Sequence, residues 1–387
     1  MKITMGVVVG VLLTGLSLIC LSARQYAFAV PENEGARNII GKSARNNSRG
    51  AMPGAWRLGK SVNHENLTIF PVISDETVST EEFITLDEGL RTGKVKVREL
   101  GGDQQSEQGA QRVENRINGR QNQANIRQRR GDSAEVNRLA IINNSGRTLI
   151  LIAGEIVLGG KQDRIVAHDC MVASTNKPVP VDVFCVEHNR WSPRSRATSE
   201  SRVGFSSAET VMASPKERKA AQAKKDQGEV WNEVAEKVKV NSVSTSTGTL
   251  NSVYENKRVN TRLRAYESML KSKMASKRIV GAVVAINGKI VSADVFASSS
   301  LFQAYWLKLL KSYSLEAISA PKVNYKEAEP GDAESFLSRV EGEKSQNDLK
   351  GVYIIKENQS DNDASFELEH AGEKSKLIHF NRVNKKY

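Results

Sequence analysis

The chain has 387 residues, 39% of them hydrophobic and 26% charged, and its 56 Lys and Arg against 44 Asp and Glu give a formal charge of +12. That apolar content excludes a wholly disordered chain, and a single long apolar run, at the very start, excludes a multi-pass membrane protein. Three cysteines exclude a disulfide-dense scaffold and a zinc ribbon, which needs four.

Lys2, the apolar stretch Met5–Ala23 and the small-residue site Ala27-Phe28-Ala29 have the form of a secretory signal cleaved after Ala29. The apolar stretch is longer than the usual about 7–15 residues, so an uncleaved anchor is the alternative. Either way the folded part is expected outside the cytoplasm: periplasmic, secreted, or held at the outer face of the inner membrane. Membrane contact is expected only through this segment if it is uncleaved. Removing residues 1–29 leaves a formal charge of +10. Residues 30–60, rich in Gly, Asn, Ser and Arg without apolar periodicity, read as a flexible leader.

From residue 61 the pattern is that of strands. Leu67–Ile73, Phe83–Leu86 and Val95–Leu100 are β-type runs, the last alternating apolar and charged residues. Residues 101–131 hold six Arg, many Gln and Asn and no aromatic, and read as a mobile insertion between strands. Without aromatics to stack bases, no specific nucleic-acid partner is expected. Arg138–Ile142 and Thr148–Ile152, joined through Asn143-Asn144-Ser145-Gly146, are expected to form a hairpin. Arg164–Val172 and Val181–Val186 are expected to pair about a turn at Lys177-Pro178. Residues 61–191 are therefore expected to form an antiparallel β-rich domain, sandwich or barrel-like, with no convincing helix between Leu67 and Val186.

Residues 192–228, rich in Ser, Lys and Arg, read as a polar, partly helical connecting arm. Residues 229–387 read as a helical and mixed α+β domain, which makes the whole chain α+β. Val230, Val234 and Val238 lie at helical spacing, as do Val259, Leu263, Tyr266, Leu270 and Met274. Asn287-Gly288 between two apolar runs predicts a tight hairpin. Ser298–Ser300 precede a helix whose Leu301, Phe302, Tyr305, Trp306, Leu309, Leu310 and Tyr313 require a sheet to pack on. Strands follow at Val352–Ile355 and around Gly372.

Reactive residues are densest between Gly154 and Trp191. His168-x-Cys170 and Cys185-x-x-His188 suggest zinc, but alternation along strands turns His188 away from Cys185, so no metal is expected. Pairing about Lys177-Pro178 places Cys170 opposite Cys185. In an oxidising compartment they form a disulfide, and two buried free thiols are the alternative. Gly159-Gly160-Lys161-Gln162-x-Arg164 is a glycine-flanked loop whose cations suit a phosphate or carboxylate. It lacks the hydroxyl and the strand-to-helix setting of a P-loop. Glu155 and Glu187 are the candidate catalytic carboxylates.

Gly154-Glu155-x-x-x-Gly159-x-Lys161-Gln162-x-Arg164 and Cys185-Val186-Glu187-x-x-Arg190-Trp191 together resemble a bacterial domain of unknown function. That domain is named for its association with ADP-ribosylglycohydrolase and rhodanese-phosphatase proteins. Glu229-Val230-Trp231-x-Glu233-Val234, Ser246-Thr247-Gly248-x-Leu250 with Tyr254, and Ala293-Asp294-Val295-Phe296 with Leu301-Phe302 extend the resemblance over about residues 62–320. It implies ligand contacts at Lys161, Gln162, Arg164, Arg190 and Trp191, beside Glu155 and Glu187, and a role near ADP-ribose or nucleotide metabolism by association. No cofactor is expected, and the oligomeric state is not readable.

Two functions are compatible with these residues. One is an exported, non-catalytic binding protein for a small anionic ligand. The alternative is a hydrolase or transferase acting on an ADP-ribose-like or other phosphorylated nucleotide-like substrate. There Glu155 or Glu187 would be the general base, and Lys161, Arg164 and Arg190 the anion clamp.

Overall fold

Apolar runs buried on both faces set the centre of the molecule. Ile279–Ile286 is buried at all eight positions and Lys289–Phe296 at all but the first. They form the expected hairpin, with Asn287 (φ 49°) and Gly288 (φ 74°) both left-handed. A Cβ on Gly288 would lie 1.8 Å from the Lys326 carbonyl oxygen, so the turn also needs glycine for space. The computed structural model describes residues 54–76, 78–100, 137–190, 205–349, 351–372 and 375–387. Ser48–Tyr387 is one compact unit. The expected signal at 1–29 and the insertion at 101–131 lie outside the described residues.

The fold is α+β. A nine-stranded antiparallel sheet runs Trp56–Leu58, Leu67–Ser74, Ile279–Ile286, Lys289–Phe296, Lys376–Asn384, Asp363–His370, Tyr353–Gln359 and Glu343–Leu349, with Val62–His64 added beside Leu67–Ser74. A six-stranded sheet and a three-stranded sheet hold the remaining strands between Phe83 and Met212. The expected division into 61–191 and 229–387 does not separate two bodies. Leu67–Ser74, with seven of its eight residues buried, pairs with Ile279–Ile286 along nearly its whole length. A strand with that pattern needs cover on both faces, and the second half of the chain supplies it.

Two local expectations are corrected. Arg138–Asn143 and Thr148–Leu151 do not pair with each other. The first pairs with Val95–Glu99 and Thr175–Cys185, the second with Phe83–Thr85 and Cys170–Val172. Asn143 makes this change of sheet: its buried amide donates to the carbonyls of Arg147 and Val172, both at 2.8 Å. There is also no turn at Lys177-Pro178, because Thr175–Cys185 is one strand with a register shift between Thr175 and Val179. Proline is accommodated at such an irregularity.

Further elements were not foreseen, though the arm is partly helical as expected. Leu86–Arg91 is a short helix inside the β-rich half, capped by the Thr85 hydroxyl. Trp56–Leu58 is a strand within the expected leader. The expected arm, where described, contains the strand Ser206–Met212, the helix Pro215–Lys219 and a π-turn Ala220–Lys224, with Met212, Ala213, Ala220 and Ala221 buried.

The Ser299–Ser319 helix is the central pillar. Ser298 caps it by accepting from the Leu301 N–H at 3.1 Å, and it ends one residue before the Ala320-Pro321 pair. It is buried on nearly every side, so its polar residues must find partners inside the protein. Tyr305 donates to the Ile150 carbonyl (3.1 Å) and Ser312 to the Ala213 carbonyl (2.7 Å). The helix thus bonds to the β-rich half and to the segment expected as an arm alike.

Candidate functional site

The glycine loop and the Glu187 segment come together, with their charges turned on each other. Arg164, fully buried, makes a two-pronged bond to Glu99, each contact 3.0 Å. Arg190 reaches the Gly160 carbonyl (2.6 Å), Glu187 (2.6 Å) and Asp163 (3.4 Å). Glu187 also accepts from the Asp163 N–H at 3.0 Å, and Gln162 donates to the Glu187 carbonyl at 2.7 Å. The Lys161 N–H is on Glu99 at 2.9 Å. Among the described residues, Glu99, Asp163 and Glu187 balance Lys161, Arg164 and Arg190 in formal charge. Gly160 (φ 55°) serves this closure: a Cβ there would lie 2.3 Å from the Phe205 ring and 2.4 Å from Glu99 Oε1.

Burial pushes the Glu187 carboxyl up, but hydrogen bonds from Arg190, Thr247 and the Asp163 N–H outweigh it and hold it below the usual carboxylate range. Glu187 is therefore ionised at neutral pH. Trp191 lies outside the described residues.

Glu155 belongs to a different cluster. It is fully buried, accepting from the Ile152 N–H (3.0 Å) and from Lys308 of the central helix (2.8 Å), which also reaches Asp87 at 2.8 Å. Burial works against the Lys308 charge, yet the two carboxylates raise its pKa. Burial raises the Glu155 pKa against the pull of the Lys308 charge, and both its oxygens are engaged by the protein's own donors.

Two further buried networks were missed. Arg218 makes a two-pronged bond to Asp294 (3.0 and 2.5 Å), which also accepts from Tyr313 (2.5 Å) and Asn381 (3.1 Å). His379 stands between Asp169 (Nδ1, 2.5 Å) and Asp294 (Nε2, 3.3 Å) and stacks on Phe296 with centroids 4.4 Å apart. Burial lowers the His379 pKa, but the two carboxylates carry it up to about 9. Gly154 (φ 88°) lets the Arg218 side chain pass, since a Cβ there would sit 2.5 Å from its Cγ. In the second network Lys237 lies 2.9 Å from Glu316 and 3.8 Å from Glu217, and the Ser214 hydroxyl contacts both carboxylates. A charge on the apolar face of a helix, such as Lys308, is a readable signal. Arg218, within a run of charged residues, gives none.

The Cys185–Arg190 segment also builds a cleft. The amide of Gln227 bridges the Cys185 N–H and carbonyl (2.8 and 2.9 Å) and fixes the start of the Gln227–Val240 helix. Asn189 N–H donates to the Thr247 carbonyl and Leu250 N–H to the Val186 carbonyl, both at 3.0 Å, which seats the turn before the Leu250–Glu255 helix. Between these three segments lies a cleft of about 390 Å³ lined by Trp231, His188, Asn189, Val234, Val238 and Gly248, among others. His188 meets Trp231 edge to face, centroids 4.6 Å apart.

Cys170 and Cys185 are buried reduced thiols not joined to each other, which decides between the two alternatives left by the sequence. With Thr175–Cys185 continuous, Cys170 faces Leu151 and Cys185 faces Arg164 across different sheets. Burial pushes both thiols up. Among the described residues no group of three or more His, Cys, Asp and Glu side chains is arranged to hold a metal.

Gly154, Glu155 and Asp294 of the motifs thus tie the fold to its central helix, whereas Trp231 and Gly248 line the cleft beside His188 and Asn189, the two residues between Glu187 and Arg190. No curated relative and no solved structure matches the chain. The profile of the ARPP-1 domain, the ARG and Rhodanese-Phosphatase-superfamily-associated Protein domain, matches residues 55–383, from the first strand to the last, and the chain belongs to that family.

Proposed function

We propose that this protein is an exported, non-catalytic binding protein that holds a small molecule in the cleft between His188-Asn189, the Gln227–Val240 helix and the Thr245–Gly248 turn. One observation carries the reading. Trp231 and Gly248, from two separate motifs, line this cleft together with His188-Asn189, the residues between Glu187 and Arg190, while the charges of Glu187 and Arg190 are turned on each other. An apolar floor with a few polar groups at its rim is the usual make-up of a ligand pocket, and the volume falls in the range of about 300–1,000 Å³ common to such sites.

Binding is preferred to turnover because both candidate bases are fully buried and already bonded to protein donors. The site moves from the cations of the glycine loop, where an anion was expected, to the cleft beside them. Export rests on the signal-like character of residues 1–29.

A thermal-shift screen of sugars, nucleotides, amino acids and their phosphates tests the reading. A ligand that raises Tm in the native protein and not in Trp231→Ala supports it. If every ligand effect survives that substitution, the cleft is not the site.

A further inference from the structure

Resting on the cleft reading, we infer that the ligand is a neutral, polyhydroxylated ring, a pyranose sugar or short glycan, and not a phosphorylated nucleotide. The wall chemistry argues for it. Trp231 and His188 give an aromatic pair, and Val234 and Val238 an apolar floor, which together suit the C–H face of a sugar ring. The rim adds Asn189, Ser242 and Thr245, whose amide and hydroxyls both donate and accept, as ring hydroxyls require.

Charge decides against the nucleotide. Among the described residues lining the cleft, Lys239 alone carries a fixed charge, and it lies 3.9 Å from Glu236. It also stands in the last turn of the Gln227–Val240 helix, where the helix dipole is negative and disfavours an anion. The nearby guanidiniums of Arg164 and Arg190 are directed to Glu99, Asp163 and Glu187. A diphosphate placed here would lose its hydration to a wall with one screened cation, whereas a neutral ring would exchange water for matched hydroxyls and an aromatic face.

The test is a calorimetric and saturation-transfer NMR titration of the full chain with glucose, N-acetylglucosamine, cellobiose and chitobiose, and in parallel with ADP-ribose, ADP and glutamate. At least one of the four sugars is expected to bind saturably. Trp231→Ala should weaken it by at least about tenfold. Trp231→Phe, which keeps an aromatic ring, should stay within a few-fold of the native protein and shows that the loss does not come from misfolding. Lys277→Ala, beside a separate cleft at Ser298–Ser300, should leave binding unchanged. If ADP-ribose or ADP binds through Trp231 and no sugar does, the sugar assignment is overturned and the cleft stands. If no probe binds in a Trp231-dependent way, both fall.

Discussion

His379 makes stability depend on pH in a window where few other groups titrate. Its imidazole is fully buried between Asp169 and Asp294, and with Arg218 the four groups are neutral only when His379 is protonated. A pKa carried from 6.5 to about 9 corresponds to about 3 kcal/mol of folding free energy. Because the folded pKa is the higher one, that stability is fully present below pH 6.5 and is lost as pH rises through about 9. His168, pushed down by burial, acts on the acid side of its ordinary range. The Cys170 and Cys185 thiols, pushed up by burial, act only above theirs. Glu155 and Glu217, raised by burial, and Lys219, lowered by it, add slopes of their own, so His379 is read as the part of the slope that its removal takes away. Urea unfolding followed by circular dichroism at half-unit steps should show native stability falling between pH 6.5 and 9 by about 2–3 kcal/mol. His379→Gln should be less stable at pH 6.5 by about 3–5 kcal/mol, because it leaves a buried carboxylate without its counter-charge. Its stability should also fall clearly less steeply over the same interval. Equal slopes for the native protein and the variant would refute the reasoning.

Lys308→Met strands Glu155 and Asp87 and should cost about 3–5 kcal/mol in chemical denaturation; adding Glu155→Gln should recover part of the loss, since it removes one stranded charge. Gly154→Ala should lower stability by about 1–3 kcal/mol, from its positive φ and the contact with Arg218, measured as a fall in Tm. Cys170 and Cys185 should be silent to a thiol reagent in the native protein and both react in urea without reductant, whereas a disulfide would leave neither free.

Much of the architecture is legible in the residue pattern because local rules and tertiary packing agree there. Asn287-Gly288 forms its hairpin, Ser298 caps its helix, and the 259–274 stripe faces inward as its spacing requires. The failures lie where a long-range partner overrides local chemistry. Asn143–Gly146 has the residues of a hairpin turn but is used to pass between sheets, because the Asn143 amide is claimed by Val172, 29 positions away. Lys216–Lys225 reads as a solvated arm, yet Arg218 is drawn into the core by Asp294, 76 positions distant. The candidate site shows the same division. The Glu187, Arg190, Gln162 and Arg164 grouping is recoverable from sequence, but not that Glu99 neutralises Arg164, nor that His188 meets Trp231. Such pairings depend on which elements become neighbours, and no local signal encodes that.

The central claim is most directly tested at the Trp231 indole. Its Nε1 is buried with no hydrogen-bond partner among the described residues, so its N–H resonance, assigned by loss in Trp231→Phe, should stand apart in a 15N spectrum and respond to events in the cleft. Titration with a ligand found by thermal shift should move that resonance and the Gly248 amide together, saturating at one common Kd. Shifts confined to the Lys161–Arg164 loop or to Ser298–Ser300, with Trp231 unmoved, would contradict the account.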